Sequence, residues 1–318
     1  MAEAGPPLLE EIEAAARLLG EVLVPTPLVA FADGGGELSL KVELGQPTGS
    51  FKVRGVFHAV ARMDPARRVR GISTVSAGNT AKALAWAGRH FGVPARSLMP
   101  KGAPRTKIDA VRELGGTPVL VETDELFRYL GERGWEVEPY AFVHPWIDRD
   151  VLVGHGTLGL EIAEECPDVD TVFVPVGGGG LLGGVGSALR AVRAGVRLVA
   201  VEPAGCPALS AALAAGAPVG VDCETICDGV AVPRIAEEVF ALLRELADEV
   251  VLVEEAQVRA TIRELFESTG LVAEGAGALA LAAARRVPAA ERGRAVCLVT
   301  GGAIDGDLLA GILAGGRV

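Results

Sequence analysis

A run of four glycines, a lysine beside a phenylalanine, and a short loop of hydroxyl and amide residues are the parts of this sequence that could do chemistry. Val174-Pro175-Val176 leads into Gly177, Gly178, Gly179 and Gly180, followed by Leu181-Leu182-Gly183-Gly184. A strand ending in glycines at a helix start can turn several backbone N–H groups toward one anion, and the helix dipole adds to the attraction. A phosphate suits such a turn. Close packing of strand on helix would need one or two glycines, so four point to a ligand. The GxGxxG pattern inside the run is weak evidence for a dinucleotide, and no Gly-Lys-Ser or Gly-Lys-Thr follows to make a triphosphate loop.

The chain has five lysines: Lys41, Lys52, Lys82, Lys101 and Lys107. Lys41 falls in a strand-like run, and Lys82, Lys101 and Lys107 fall on helical or polar segments where a solvated charge is expected. Lys52 differs. It sits in Gln46-Pro47-Thr48-Gly49-Ser50-Phe51-Lys52-Val53-Arg54-Gly55, a turn running into a helix. An amine desolvated near a helix N-terminus has a lowered pKa and can act as a nucleophile. The third segment, Ser76-Ala77-Gly78-Asn79-Thr80, follows an apolar run and opens another helix. Its N–H groups and side chains suit a carboxylate, and they equally suit an ordinary helix N-cap.

These segments must be held by βα units, because the chain repeats an apolar β-branched run, a glycine turn and a helix-period stretch. Strands are expected over 38–44, 71–75, 97–100, 118–122, 171–176, 197–202, 249–253 and 295–299. Helices are expected over 80–90, 106–114, 156–165, 183–194, 256–267 and 275–286. The nearly all-apolar strands imply burial on both faces, in an α/β fold with an open sheet flanked by helices and ligands at the carboxyl ends of the strands. Asp33-Gly34-Gly35-Gly36 reads as a surface turn.

Composition bounds the partners. At 318 residues, 50% of them apolar, the chain can build a full core without staples. A net charge of -11 repels nucleic acid and anionic membrane, leaving a small molecule as the expected ligand. Cys166, Cys206, Cys223, Cys227 and Cys297 form no paired framework, and Cys223 with Cys227 lacks the company of a metal site, so plain thiols are expected. The acidic N-terminal stretch lacks the features of a signal peptide, and no apolar run is long enough to span a bilayer, which points to the cytoplasm.

Taken together, the segments resemble the fold type II pyridoxal-phosphate (PLP) enzymes, in particular the serine/threonine dehydratase and serine racemase group. The motifs occur in that family's order: Thr48-Gly49-Ser50-Phe51-Lys52 with Arg54-Gly55; Ser76-Ala77-Gly78-Asn79; His144-Pro145 then Gly154-His155-Gly156-Thr157; the tetraglycine turn; Glu202-Pro203; Asp228-Gly229-Val230; and Thr300-Gly301-Gly302. The resemblance implies two open twisted sheets flanked by helices, as in tryptophan synthase β. A small mobile domain of residues 69–146 would be inserted in a large domain of 1–68 and 147–318, with PLP between them, usually in a homodimer.

It further implies that Lys52 carries PLP as a Schiff base, and that Gly177, Gly178, Gly179, Gly180 and Leu181 bind the phosphate. Phe51 would lie against the ring, Asn79 at its hydroxyl, Thr300 at the pyridine nitrogen, and Gly229 and Glu274 close by. Ser76, Ala77, Gly78, Asn79 and Thr80 would surround the carboxylate of an amino-acid substrate. β-Elimination from a β-hydroxy amino acid such as L-serine or L-threonine is the implied reaction, with hydroxyaspartate or phenylserine as other substrates. Racemase-like members carry a serine at position 77, and the methyl group of Ala77 transfers no proton, so dehydration ranks above racemisation. A non-catalytic PLP-binding protein is the alternative from another class. No feedback-regulatory domain is expected after Thr300-Gly301-Gly302.

Four positions depart from the family pattern. Thr80 replaces a common histidine, His155 a glutamine, and Ala303 an asparagine. Ala208 stands where a carboxylate would complete a divalent-cation site with Glu202. His155 is expected to be hydrogen-bonded at a domain junction rather than to carry protons.

Overall fold

The computed structural model describes residues 5–32, 37–76 and 78–315. Two sheets organise them. The larger has six strands in the order β1-β2-β10-β7-β8-β9: β1 (Leu28–Phe31), β2 (Leu38–Val42), β7 (Thr171–Pro175), β8 (Arg197–Pro203), β9 (Glu249–Val253) and β10 (Ala295–Val299). The smaller has four, β3 (Ile72–Val75), β4 (Ala95–Pro100), β5 (Thr117–Val121) and β6 (Ala141–Phe142), in the order β5-β4-β3-β6. All pairings are parallel except β1 with β2. Helical crossovers cover the faces, as parallel pairing requires.

The eight expected strands are all present within a few residues. Burial on both faces holds for β3, β7 and β10 but fails for β5, whose residues are exposed or half-buried because it closes one edge of the small sheet. The helix expected at residue 156 begins at Arg149, where the Asp148 carboxylate accepts the Asp150 N–H. The expected surface turn at Asp33 to Gly36 lies outside the described residues, as does Ala77.

Close helix packing sets the position of Lys52. It is the first residue of the Lys52–Arg62 helix, which lies against the Arg149–Glu165 helix. A Cβ on Gly55 would fall 2.4 Å from His155 Cε1, and one on Gly154 would fall 2.7 Å from Gly55 Cα. Glycine at both positions therefore lets the two backbones approach. Behind this contact, Arg54 pairs with Glu43 and Glu161, and Lys41 with Glu161 and Glu165.

The cysteines depart from expectation. Cys206 and Cys223 form a disulfide, while Cys166, Cys227 and Cys297 are buried thiols. The Ala208–Ala215 helix and the segment after it fold back so that the two Cα atoms lie 4.3 Å apart, a proximity that 17 residues of separation do not reveal. No helix among the described residues is long and apolar enough to cross a membrane.

Candidate active site

The carboxyl ends of β3, β4, β7 and β10 open into one cavity of about 350 Å³ between the two sheets, at the place where ligands of parallel α/β folds bind. The turn after β10 and the segment before the Lys52 helix are tied together there. Phe51 N donates to Thr300 O at 3.1 Å, Gly302 N donates to Gly49 O at 3.1 Å, and Ser50 bridges Gly301. Thus Phe51 and Lys52, from near the start of the chain, and Thr300, from near its end, line one cavity.

The tetraglycine turn forms the floor. Gly179 has φ +87°, in the left-handed region that a side chain disfavours, and it caps the Gly180–Val192 helix. A Cβ on Gly177 would fall 2.7 Å from Val230 Cα, and one on Gly178 would fall 2.3 Å from Trp146 Cγ. The first amides of the helix lack intrahelical acceptors and face the cavity end of the dipole. This is a cradle for an anion.

Ser76, Gly78, Asn79 and Thr80 line the same cavity at the start of the Asn79–Phe91 helix. Gly78 N donates to Ser76 Oγ at 3.0 Å, and Asn79 Nδ2 donates to Glu274 Oε1 at 2.6 Å. Glu274 is fully enclosed, and burial raises its pKa against the pull of Lys107. Asn79 Oδ1 and Glu274 Oε2 are buried without a hydrogen-bond partner among the described residues. Gly229 completes this corner, since a Cβ there would fall 3.3 Å from Glu274 Oε1. Lys52 keeps partial exposure toward the cavity it lines. Desolvation lowers its pKa to about 8, with Glu274 opposing the shift.

Two lysines expected to be solvated are not. Lys82 and Lys107 are 8% and 4% exposed. Lys107 Nζ forms an ion pair with the Asp228 carboxylate and lies 3.6 Å from Glu274 Oε2. Burial alone would lower the Lys107 pKa, but Glu274 and Asp228 together raise it. Lys82 is lowered by burial. Their acidic partners are far away in sequence, so no local pattern marks these lysines; only Asp228, adjacent to Gly229, could have been suspected. Lys101, by contrast, is solvent-exposed and pairs with Glu122.

His155 also departs from expectation. Its ring packs on Phe51, centroids 4.8 Å apart, behind the cavity wall, and neither ring nitrogen has a hydrogen-bond partner among the described residues. Burial, with Lys52 and Arg54 nearby, holds its pKa well below the usual range, so it is a neutral packing group. Glu202 accepts N–H bonds from Leu209 at 2.7 Å and Ser210 at 2.9 Å and raises no cluster of ligands around it among the described residues. Trp146, Leu126 and Phe127 line the cavity and were not foreseen.

A cavity with a glycine anion cradle, a low-pKa lysine and orphaned buried polar atoms defines a class of cofactor site, and comparison with known proteins agrees with it. The model of the pyridoxal-phosphate dependent enzyme family matches residues 21–301, and the chain belongs to that family. Among curated proteins, it is 38% identical over 317 residues to the L-threonine ammonia-lyase of Thermotoga maritima, covering 98% of this chain and 79% of that one. It is 34% identical to the catabolic L-threonine dehydratase of Escherichia coli, covering 85% and 84%. Among solved structures, maize serine racemase superposes with a TM-score of 0.89 at 29% identity, covering 96% and 97%. The processed threonine deaminase isoform 2 of Solanum lycopersicum gives 0.87 at 32% identity, covering 96% and 87%. The residues present fit PLP: Gly177 to Gly180 offer the amides of a helix start to a phosphate, and the buried Asn79 Oδ1, at a residue lining the same cavity, has no hydrogen-bond partner among the described residues.

Proposed function

We propose that this enzyme converts L-threonine or L-serine into a 2-oxo acid and ammonia by β-elimination. The observation that carries the reading is the low-pKa amine of Lys52 between a glycine anion cradle and the Ser76–Thr80 loop, in a chain whose relatives are named threonine ammonia-lyases. Gly177 to Gly180 with Leu181 would hold the PLP phosphate, Phe51 would lie against the ring and Asn79 at its hydroxyl, with Gly229 and Glu274 alongside. When bound, PLP supplies a sink for the electron pair left at Cα.

This chain's residues set the rest. Ser76, Gly78, Asn79 and Thr80 orient the substrate carboxylate. Lys52 Nζ, with a pKa near 8, is suited to take the Cα proton. The neutral Thr300 hydroxyl cannot keep the pyridine nitrogen protonated as a carboxylate would, which weakens the sink and favours prompt loss of the β-substituent. The Cα proton and the β-hydroxyl depart together as water. The enamine released takes up one water to yield the oxo acid and ammonia. At position 77 an alanine offers no proton to the opposite face of Cα, which favours elimination over racemisation.

The four-stranded sheet lies wholly within residues 69–146, which supports a small domain of that extent closing on the large one to exclude water. A cytoplasmic homodimer is the setting we propose; the acidic, thiol-bearing chain supports the compartment, and the Cys206–Cys223 disulfide is the feature least usual there. The test is 2-oxo acid release by the PLP-loaded protein from L-threonine, L-serine, β-hydroxyaspartate and phenylserine. Release from threonine or serine supports the reading; binding of PLP with no oxo acid from any of the four contradicts it.

A further inference from the structure

Three ionisable groups in the cavity region have no part in the elimination itself: the buried Lys82 and Lys107 and the half-buried Asp228. Lys107 lies on the Arg105–Glu113 helix, and its stem covers Gly78, where an added Cβ would fall 2.6 Å from Lys107 Cδ. Its ammonium therefore stands beside the carboxylate loop. It is not free, because the Asp228 carboxylate engages it from the large-sheet side and Glu274 lies 3.6 Å away. Lys82, on the first turn of the Asn79–Phe91 helix, lies in the field of the same two carboxylates. Two ammonium and two carboxylate groups thus offset one another.

The charged residues lining the cavity, among the described residues, are Lys52, Lys107, Asp228 and Glu274, with no arginine or histidine. Lys52 is committed to the reaction. Val75, Pro100, Leu126, Phe127, Val232 and Pro233 make the outer lining apolar. A substrate side chain with its own carboxylate would find no available cation and two carboxylates of like sign. To recruit Lys107 it would have to compete with Asp228, which already engages the ammonium, and lie near the Glu274 carboxylate.

We infer that Asp228, by engaging Lys107, makes the enzyme turn away amino acids whose side chain carries a second carboxylate. The inference rests on the reading of the cavity as an amino-acid site. Asp228 is in this sense a positioning residue, acting through Lys107.

The test uses two ligands without a β-leaving group, L-2-aminobutyrate and L-aspartate, with affinities measured by calorimetry on the PLP-loaded protein. Wild type is expected to prefer aminobutyrate. Asp228→Asn is expected to shift the affinity ratio toward aspartate by roughly tenfold or more, and adding Lys107→Met is expected to abolish that gain. The kcat/KM ratio of β-hydroxyaspartate to threonine should move in the same direction. Because the binding ratio needs no turnover, failure of this inference and failure of the dehydratase reading are separately visible. An unchanged ratio in folded Asp228→Asn, equal weakening of both ligands, or a wild-type preference for aspartate would overturn the inference. Should Asp228→Asn not fold, Lys107→Gln must sharpen the discrimination against aspartate; a Lys107→Gln protein that binds aspartate as wild type does overturns it equally.

Discussion

Two clusters of buried and half-buried charge lie on either side of the Lys52 helix, and they are built differently. Behind the helix, Arg54 Nε donates to Glu43 at 2.8 Å and its Nη1 to Glu161 at 2.6 Å, while Lys41 reaches Glu161 and Glu165, each at 2.9 Å. Thr26 closes the network through its hydroxyl to Glu43. Every charge there has close partners, and Glu161 is held below the usual carboxylate range: burial alone would raise it, but Arg54 and Lys41 more than offset that. In front of the helix, Lys107, Asp228, Glu274, Lys82 and Asn79 are paired more loosely: Glu274 Oε2 lies 3.6 Å from Lys107 Nζ, and Asn79 Oδ1 has no hydrogen-bond partner among the described residues. A saturated buried network fixes a scaffold, whereas an unsaturated one beside a cavity keeps its capacity for a ligand.

The sharpest way to test that contrast is Lys52→Ala, which should lower oxo-acid release by about 10⁴-fold or more while leaving thermal unfolding of the protein close to wild type. Next in size is Arg54→Met. It leaves the buried Glu43 without its cation and Glu161 with Lys41 alone, and should cost roughly 3–5 kcal/mol in urea unfolding; a loss under about 1 kcal/mol would mean that the rear network does not hold the scaffold. Glu274→Gln should do the reverse, reducing kcat by about 10²-fold with far less effect on unfolding than Arg54→Met.

The smallest effect concerns pH. With Lys52 as the proposed anchor of PLP, its neutral amine would be the nucleophile in the PLP-free protein, so the rate of PLP capture followed by stopped-flow absorbance should rise as pH increases through about 8 and then level off. Glu274 raises that pKa, so Glu274→Gln should move the midpoint to lower pH. A midpoint unmoved in the variant would separate the two groups that the front cluster joins.

What could be read from the sequence follows the reach of each signal. The strand runs at 249–253 and 295–299 match β9 and β10 because apolar β-branched runs declare themselves locally. Lys52, the tetraglycine turn, Ser76 and Thr300 were legible as ordered motifs, and the fold brings them to one cavity. β1 was missed because its four residues are mostly exposed and carry no clear alternation, and β6 because it has only two residues. The early start of the Arg149–Glu165 helix was hidden by its glycines, which read as breakers but serve close packing on the Lys52 helix. Burial of Lys107 could not be seen because Asp228 is 121 residues away. The pairing of Cys206 with Cys223, and the packing of His155 on Phe51 with no hydrogen-bond partner for its ring nitrogens among the described residues, likewise arise only from tertiary contacts.

Three lysines, Lys52, Lys82 and Lys107, approach the same cavity region, and the central claim is that Lys52 alone carries the cofactor. Borohydride reduction of the PLP-loaded protein, followed by peptide mass mapping, decides between them. The result expected is a single reduced pyridoxyl adduct on the peptide containing Lys52, absent in Lys52→Ala; an adduct on Lys82 or Lys107 in the wild-type protein, or none at all, would contradict the account.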